Sequence, residues 1–259
     1  MAIRKCVVAV PARLQSSRLP NKVLADIGGQ PMIQRVLERC RQARSVEAVV
    51  LCTDSAELQA RAEAWGFPVL MTSESCSSGS ERIASVAHPL MALAWGDEDP
   101  IAAETAVINV QGDQPFIDPA VIDAMVEEFR RQDPVPAVVT PVYGLKPESV
   151  HNPNVVKTLL AHDGRALYFS RSAIPHVRDV AEADWHQHTT YWGHVGMYGF
   201  RGDVLAAWDQ LPASPLEDLE RLEQLRLIEA GLSIATFPVE GTSLSVDTAE
   251  QLEQARAMV

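Results

Sequence analysis

The sequence predicts an α/β fold with a largely parallel sheet flanked by helices. Three short apolar runs have the character of strands buried on both faces, at residues 6–10, 46–52 and 105–110. Apolar residues recur at helical spacing between these runs, at residues 33–40, 57–65 and 81–93. Strands that alternate with helices indicate βαβ units and therefore a parallel sheet.

Local signals mark where several helices begin. Asp118-Pro119 has the order of an N-cap followed by proline in the first helical position. Ser78 to Glu81 and Asp247 to Glu250 have the spacing of capping boxes. These signals predict that helices begin directly after Ser78, Asp118 and Asp247.

The middle of the chain has a different pattern. Residues 155–160 and 166–169 are predicted to form two strands joined by a hairpin turn at Asp163-Gly164. A further strand is predicted over 195–200. The segment 174–192 is interpreted as a long loop and a candidate lid, because loops of that length in compact domains are commonly functional.

Length and charge restrict the classes of function. A chain of 259 residues is expected to form one large α/β domain with an embellishment. The formal net charge of −12 makes nucleic acid an unfavourable partner. Small anions could still bind where cations are concentrated, and Arg13, Arg18 and Lys22 form such a cluster.

Cysteine usage and hydropathy predict a cytoplasmic protein. None of the four cysteines forms a CxxC pair, and three lie in apolar runs, as expected of reduced thiols. No apolar stretch of about 18 residues occurs, and the N-terminal residues run directly into the first predicted strand. We therefore expect neither a membrane span nor an export signal.

Ligands of open parallel sheets bind outside the carboxyl ends of the strands. The polar segment 11–22 follows the first strand and contains no GxxxxGK[ST] pattern. Its small residues and cations could hold a triphosphate by charge-assisted hydrogen bonds. A solvated surface loop with scattered arginines explains the same composition.

Two aspartates are candidates for a metal site. Asp113 lies in a turn after a buried strand, beside Gly112, and could present a carboxylate to Mg²⁺. Asp247 precedes a predicted helix. An ordinary turn would equally explain Asp113, and a helix N-cap would equally explain Asp247.

A series of collinear motifs resembles the bacterial CMP-Kdo synthetases, also called 3-deoxy-manno-octulosonate cytidylyltransferases, where Kdo is the eight-carbon acidic sugar. The motifs are Val10-Pro-Ala-Arg13, Ser17-Arg-Leu-Pro20 with Lys22, Gly29-Gln-Pro-Met-Ile33, Ser78-Gly-Ser-Glu-Arg82, Asn109-Val-Gln-Gly-Asp113, Asn152-Pro-Asn-Val-Val-Lys157, Ala166-Leu-Tyr-Phe-Ser-Arg171, His194-Val-Gly-Met-Tyr198, Ser214-Pro-Leu-Glu217, Leu222-Glu-Gln-Leu-Arg226 and Val246-Asp-Thr248. Together they cover nearly the whole chain.

The resemblance implies a fold and a reaction. The fold would be a single nucleotide-diphospho-sugar transferase-like domain over residues 1–259, a Rossmann-like mixed sheet flanked by helices. Its middle part, at about 150–210, would serve sugar binding and dimerisation. The reaction would transfer CMP from CTP to the anomeric hydroxyl of Kdo, releasing pyrophosphate, for lipopolysaccharide synthesis. Mg²⁺ as cofactor and a homodimer are implied in the same way.

The resemblance also assigns roles to residues. Catalysis falls to Arg13, Lys22, Asp113 and Asp247, of which the two aspartates would hold Mg²⁺. Nucleotide binding is assigned to Ala12, Arg13, Lys22, Ser80, Arg82 and Gln111. Sugar binding is assigned to Arg171, His194, Tyr198, Glu223 and Gln224. Without the resemblance, a surface pair with Arg226 explains Glu223, and a packed pair on one face of a strand explains His194 and Tyr198.

Three features differ from the family pattern and leave the choice of substrate open. The family usually has Glu where this chain has Gln114, the loop 242–245 is longer by two residues, and the stretch 96–104 is extended. The acceptor could therefore be 8-amino-Kdo or another acidic sugar. Transfer of a different nucleotide to a sugar phosphate is also compatible with the fold, as is a non-catalytic nucleotide-binding regulatory subunit.

Overall fold

The computed structural model describes residues 2–16, 19–241 and 244–259. Ser17 and Arg18 of the opening motif, and Thr242 and Ser243 of the longer loop, lie outside the described residues. The strands are β1 Lys5–Ala12, β2 Asp26–Ile27, β3 Gln30–Pro31, β4 Ala48–Thr53, β5 Val69–Met71, β6 Thr105–Asn109, β7 Val138–Gly144, β8 Lys157–Leu160, β9 Ala166–Ser170, β10 Trp192–His194, β11 Tyr198–Arg201 and β12 Ile234–Pro238.

Helices and strands alternate through the first half of the chain. The α-helices are α1 Met32–Cys40, α2 Ala56–Ala64, α3 Gly79–Ala84, α4 Ala87–Trp95, α5 Pro119–Arg131, α6 Gly202–Ala206, α7 Pro215–Glu220, α8 Gln224–Glu229 and α9 Ala249–Arg256. Short 3₁₀ helices lie at Lys22–Leu24, Ala102–Glu104, Pro147–Ser149, Glu182–Gln187 and Trp208–Gln210.

Contacts within the chain define two compact units. The first contains the described residues of Met1–Val135, Met197–Asp209 and Ser243–Val259, and the second those of Pro136–Gly196 and Gln210–Thr242. That the whole chain works as one nucleotidyltransferase domain stays a prediction.

The first unit contains the predicted parallel sheet. Its strands lie in the order β5-β4-β1-β6-β11, with the first four parallel and β11 antiparallel to β6. Val8 of β1 pairs with Val49 on one side and Ile108 on the other, and all three side chains are buried. Every residue of β6 is buried as well. The Val-rich runs therefore mark the centre of a sheet covered on both faces, as predicted.

The predicted helix over 81–93 is wrong in one respect, because it is two helices, α3 and α4, separated at Ser85 and Val86. Pro89 accounts for the break. A continuous helix would place its ring against the carbonyl of Ser85, whereas a proline in the first turn of a new helix costs no hydrogen bond. The predicted caps Ser78 and Asp118 are confirmed, since their side chains accept from the amides of Glu81 and Ala120.

The second unit is built mainly from antiparallel pairs. The predicted hairpin is confirmed, with β8 and β9 joined through a turn in which Gly164 has a φ of +83°. Strand β10 lies between β7 and β8, and β12 runs parallel to β7.

The strand predicted over 195–200 is confirmed only for its second half, because β11 spans Tyr198–Arg201. His194 ends β10 and Tyr198 begins β11, with residues 195–197 outside both strands. β10 pairs with β7 and β8, whereas β11 pairs with β6. The two side chains therefore do not lie on one continuous strand, because residues 195–197, which include exposed Gly196, separate β10 from β11.

The segment predicted as a lid, 174–192, has a small core of its own. Trp185 and Tyr191 are buried together with Val150, and the indole Nε1 of Trp185 donates to the carbonyl of Val180 at 3.1 Å. The hydroxyl of Tyr191 donates to the carbonyl of Pro175 at 2.6 Å. These contacts give the segment one packed arrangement, and lid closure stays a prediction.

The cysteines lie in the protein interior as free thiols. All four cysteines are buried without a disulfide. Burial raises the pKa of the Cys40 and Cys52 thiols to about 12, so both thiols are protonated at neutral pH. Across the described part of the chain, no helix combines the length and apolar character needed to cross a bilayer.

Candidate active site

Polar residues meet in a pocket of about 310 Å³ at the carboxyl ends of the parallel strands of the first unit. Its lining comes from the segment after β1, the segment that leads into α3, the turn after β6 and the segment before α9. The predicted site residues in this lining are Ala12, Arg13, Lys22, Arg82, Gln111, Asp113 and Asp247. Residues predicted from separate segments thus line one cavity of the size of a small-molecule site.

Lys22, Asp113 and Asp247 form an ionic cluster in this pocket. The ammonium nitrogen of Lys22 lies 2.7 Å from Oδ2 of Asp113 and 2.6 Å from Oδ1 of Asp247. Burial by itself lowers the pKa of Lys22, but the charges and hydrogen bonds of the two aspartates outweigh burial. The pKa is therefore raised above its ordinary value of 10.5, and Lys22 is charged at neutral pH.

The local sequence directs Lys22 into the pocket. Asn21 adopts a left-handed conformation with φ of 54°, which asparagine tolerates better than most residues. A 3₁₀ turn follows, in which Val23 is 4% exposed. Because Val23 is anchored in the core, Lys22 is held at the pocket wall.

Asp113 is positioned by a close approach of two backbone segments. A Cβ on Gly112 would lie 3.1 Å from the carbonyl oxygen of Pro11 and 3.1 Å from Cδ1 of Ile33. Glycine therefore lets the turn after β6 pack against the end of β1. The carbonyl of Asp113 also accepts from the amide of Val246 at 2.9 Å, which joins this turn to the segment that contains Asp247.

The prediction that Asp247 caps α9 is wrong, because Thr248 is the N-cap. Its hydroxyl accepts from the amide of Gln251 at 3.3 Å, and the side chain of Gln251 accepts from the amide of Thr248 at 3.0 Å. These are the two bonds of a capping box. The carboxylate of Asp247 instead accepts from Lys22, and capping does not explain its presence.

The aspartate pair fits the donor set that magnesium uses beside a nucleotide. Both carboxylate oxygens lie within hydrogen-bond distance of one nitrogen, so a cation at that position would meet both. Within the described ranges, no group of three or more His, Cys, Asp or Glu side chains could hold a metal. Mg²⁺ often uses one or two carboxylates and completes its octahedron with water and phosphate oxygens.

Arg82 is held by two residues that the motif analysis did not identify. It is 3% exposed, and its NH2 nitrogen donates to Oδ2 of Asp54 at 2.7 Å. The other terminal nitrogen donates to the hydroxyl of Thr72. Asp54 follows β4, so the rule on strand carboxyl ends was a signal that could have found it, whereas Thr72 follows the three-residue strand β5.

Ser80 and Gln111 are joined through Asn109. The side-chain amide of Asn109 donates to the Ser80 hydroxyl at 3.3 Å, and that of Gln111 donates to Oδ1 of Asn109 at 3.2 Å. Asn109 is fully buried at the end of β6. The relay fixes the Gln111 side chain, which lines the pocket.

Arg13 and Ala12 complete the predicted nucleotide residues. Ala12 is 7% exposed at the end of β1, and the Arg13 side chain is exposed at the pocket rim. Arg13 has no hydrogen bond or ion pair to any other residue that the structure describes. Its position suits a cation that pairs with an incoming anion.

The predicted sugar residues belong to the second unit, except Tyr198. The Arg171 guanidinium donates to three backbone carbonyls. Glu223 immediately precedes α8 and is half-buried, and Gln224 begins that helix at 2% exposed. Arg226, the other member of the expected surface pair, forms an ion pair with Glu217 at 2.6 Å.

Tyr198 is 5% exposed and packs on Phe200. The sugar-binding roles assigned to the predicted sugar residues stay predictions.

Gln114 is buried and does not line the pocket formed by the described residues. Its side-chain oxygen has no hydrogen-bond partner within the described chain. A glutamate here would place a charge among buried groups, at a cost that neutral glutamine avoids. The difference from the family pattern at residue 114 therefore lies outside the pocket lining formed by the described residues.

His194 is a half-buried histidine in contact with its neighbours. Its Nε2 lies 2.9 Å from the Thr140 hydroxyl, and its ring packs edge-on against Phe169 at 4.9 Å. Burial lowers the pKa of His194 from 6.5 to about 3, so the imidazole is neutral at physiological pH. It can exchange hydrogen bonds with a hydroxyl but offers no positive charge to a carboxylate.

Acid should destabilise the protein through His194. As the pH falls from 6.5 towards 3, the unfolded histidine takes up a proton that the folded one does not, so folding stability declines. The free energy of unfolding of His194→Gln, measured with urea, should change less between about pH 7 and about pH 5 than that of the wild type. His162→Gln, a change at a histidine of the second unit outside the predicted sugar residues, serves as the control. An unchanged pH dependence in His194→Gln would contradict the buried neutral state.

Comparison with known proteins identifies the same family across the chain. The family described as cytidylyltransferase matches residues 7–234. The 3-deoxy-manno-octulosonate cytidylyltransferase of Chlorobaculum tepidum is 40% identical to this chain, and the match covers 97% of this chain and 96% of that protein. The enzyme of the same name from Chlorobium limicola is 41% identical, and the match covers 98% of this chain and 96% of that protein. The structure of a CMP:2-keto-3-deoxy-manno-octonic acid synthetase complexed with CTP has a TM-score of 0.88 at 38% identity and covers 98% of both chains.

Proposed function

The chain belongs to the 3-deoxy-manno-octulosonate cytidylyltransferase family, and from this membership we propose that it transfers CMP from CTP to Kdo. The anomeric hydroxyl of the sugar attacks the α-phosphate, and pyrophosphate leaves. The product is CMP-Kdo, a donor for lipopolysaccharide synthesis. The observation that carries this proposal is the convergence of Arg13, Lys22, Asp113 and Asp247 on one pocket.

The chemistry requires positive charge, because CTP and the sugar acid are both anions. Arg13 and Lys22 reduce this repulsion by pairing with phosphate oxygens. Asp113 and Asp247 would hold Mg²⁺, which would supply positive charge that stabilises the phosphoryl oxygens. Catalysis then comes mainly from positioning and from electrostatic stabilisation, as in other phosphoryl transfers.

Nucleotide recognition is proposed for the other side of the pocket. Arg82 and Gln111 bind the cytidine part, and Ser80, which is fully buried and outside the pocket lining, supports Gln111 through Asn109. Asp54 neutralises the buried guanidinium of Arg82 until the ligand arrives. The pair is fixed before binding, so little ordering of side chains is needed when CTP enters.

The sugar is proposed to bind through Arg171, His194, Tyr198, Glu223 and Gln224. Arg171 pairs with the sugar carboxylate, and neutral His194 exchanges hydrogen bonds with a hydroxyl. The relatives are named for 3-deoxy-manno-octulosonate, so 8-amino-Kdo and other acidic acceptors are not favoured. Retention of Lys22, Asp113 and Asp247 argues against a non-catalytic regulatory subunit.

Pyrophosphate release tests the reaction and the sugar together. The protein is incubated with CTP and Mg²⁺ and with Kdo, 8-amino-Kdo or sialic acid in separate assays. We expect release with Kdo, and little when UTP or ATP replaces CTP. No release with any of the sugars, while CTP still binds, would contradict the proposed reaction.

A homodimer and a cytoplasmic location are proposed on the resemblance alone. A stable monomer in sedimentation velocity would exclude the first. Recovery of the protein from a periplasmic or membrane fraction would exclude the second.

A further inference from the structure

Arg171 is held at both its backbone and its guanidinium. It follows β9 directly, and its Nε donates to the carbonyl of Glu220 at 2.7 Å. Its terminal nitrogens donate to the carbonyls of Pro153 at 3.2 Å and Arg221 at 3.4 Å. A guanidinium has five N–H donors. One donor on each terminal nitrogen is therefore without a partner in the part of the chain that the structure describes.

The end of α7 supplies two of these three carbonyls. Arg221 ends the helix in a left-handed conformation with φ of 56°. The last carbonyls of a helix have no partner within it and need donors from elsewhere. Glu220 and Arg221 obtain such a donor from Arg171, so the helix terminus fixes the plane of the guanidinium.

The Glu220 side chain fixes the backbone of the same residue. Its carboxylate accepts from the Ser170 hydroxyl at 2.6 Å and from the backbone amide of Arg171 at 2.9 Å. Glu220 thus contacts Arg171 at two points, through its carboxylate and through its carbonyl. Both contacts must be kept for the guanidinium to stay where it is.

Lys157, the first residue of β8, supports Arg171 at its backbone carbonyl. It is fully buried, and its ammonium donates to the carbonyls of Asn152 at 2.8 Å and Val155 at 2.6 Å, and to that of Arg171. An ammonium has three donors, so none is left for a ligand. Lys157 therefore holds the Arg171 carbonyl and the turn that contains Pro153, whose carbonyl meets the guanidinium.

We propose that Glu220 and Lys157 are positioning residues that hold Arg171 ready for the carboxylate of the acidic sugar, an inference that rests on the proposed function. The three side chains carry two positive charges and one negative charge. One positive charge is left uncompensated, and a single carboxylate on the two remaining N–H donors neutralises it. This arrangement selects a sugar acid over a neutral sugar of the same shape.

The test is a comparison of Michaelis constants in the pyrophosphate assay. Glu220→Gln replaces the charged acceptor of the Ser170 hydroxyl and the Arg171 amide with a neutral one, so both hydrogen bonds weaken and we expect the KM for Kdo to rise about tenfold. The KM for CTP should stay within about twofold, because the change is confined to the support of Arg171. A purely structural defect would lower the active fraction and leave both KM values unchanged.

Glu229→Gln is the matched control. The carboxylate of Glu229 also accepts from a serine hydroxyl and a backbone amide, those of Ser214 and Leu216, but it does not contact Arg171. This variant should leave the KM for Kdo unchanged. Where Glu220→Gln does not fold, Ser170→Ala removes the hydroxyl that donates to Glu220 and accepts from the backbone amide of Ser172, and it should raise the same KM about two- to threefold.

Arg171→Lys separates failure of the inference from failure of the proposed function. Lysine cannot satisfy the three carbonyls and also present two donors, so the KM for Kdo should rise more than in Glu220→Gln. No change in Arg171→Lys would remove Arg171 from the sugar site. A rise in Arg171→Lys without a rise in Glu220→Gln or Ser170→Ala would overturn the positioning role.

Discussion

Asp113→Ala should lower the rate of pyrophosphate release by about 10³-fold or more. The variant removes one of the two carboxylates that meet at the Lys22 ammonium, with its Oδ2 2.7 Å from that nitrogen. Asp247 alone would then hold the metal, and the ammonium of Lys22 would bind Asp247 without competition. The rate is measured at saturating CTP and Kdo over a range of Mg²⁺ concentrations.

Asp118→Ala controls for damage to the same loop. Asp118 lies further along the same segment, is exposed, and caps α5 by accepting from the amide of Ala120 at 3.0 Å. Its loss should lower the free energy of unfolding by about 1 kcal/mol and leave the rate unchanged. If Asp113→Ala keeps wild-type activity, or loses no more activity than Asp118→Ala, the metal role of Asp113 is excluded.

The convergence of the pocket residues was predictable because it depends on topology. Buried apolar runs identified β1 and β6, and the carboxyl ends of parallel strands meet at one edge of a sheet. Arg13 after β1 and Asp113 after β6 therefore had to lie near each other. Asp54 follows β4 in the same way and could have been predicted by this rule. Thr72 follows β5, which has only three residues and gives too short a pattern to recognise.

The role of Asp247 could not be predicted from local sequence. Asp247 and Thr248 are adjacent, and each has a suitable partner three residues further on, so both satisfy the capping-box spacing. The choice depends on a distant contact, the backbone hydrogen bond between Val246 and Asp113. This contact places Asp247 beside Lys22 and leaves the capping to Thr248.

The strand break after His194 has a similar origin. The apolar character of 195–200 continues through Gly196, so the pattern alone predicts one strand. Where one strand ends and the next begins depends on contacts distant in sequence, and here residues 195–197 lie between β10, which pairs with β8, and β11, which pairs with β6. Sequence therefore located His194 and Tyr198 as candidates but could not tell that different strands carry them.

Lys22→Met should slow pyrophosphate release by about 10²-fold or more and should also tighten the binding of a divalent metal to the nucleotide-free protein. The rate falls because a cation for the triphosphate is lost. Metal binding tightens because the Lys22 ammonium lies 2.7 and 2.6 Å from the two carboxylate oxygens, at the position where a metal would meet both. Methionine keeps most of the apolar stem and removes the competing charge. Manganese binding without nucleotide, followed by electron paramagnetic resonance, measures this affinity independently of activity.

Lys5→Met is the matched control, because Lys5 begins β1 at the end away from the pocket. Its ammonium nitrogen also lies near a carboxylate, 3.9 Å from Oε1 of Glu47. This variant should change neither the rate nor the affinity for manganese. Weaker manganese binding by Lys22→Met than by the wild type would show that Lys22 supports the metal site and does not compete for it.

The thermal stability of Lys22→Met is a second test of whether the Lys22 ammonium and the metal compete for the two aspartates. The raised pKa of Lys22 means that its ion pairs stabilise the fold at neutral pH and are lost only as the pH rises above 10.5. Without the ammonium, Asp113 and Asp247 repel each other, so the metal-free variant should unfold at a lower temperature than the wild type. Mg²⁺ replaces the missing charge and binds the folded state, so it should raise the Tm of the variant more than that of the wild type. An equal rise in both proteins would mean that the ammonium and the metal occupy separate positions.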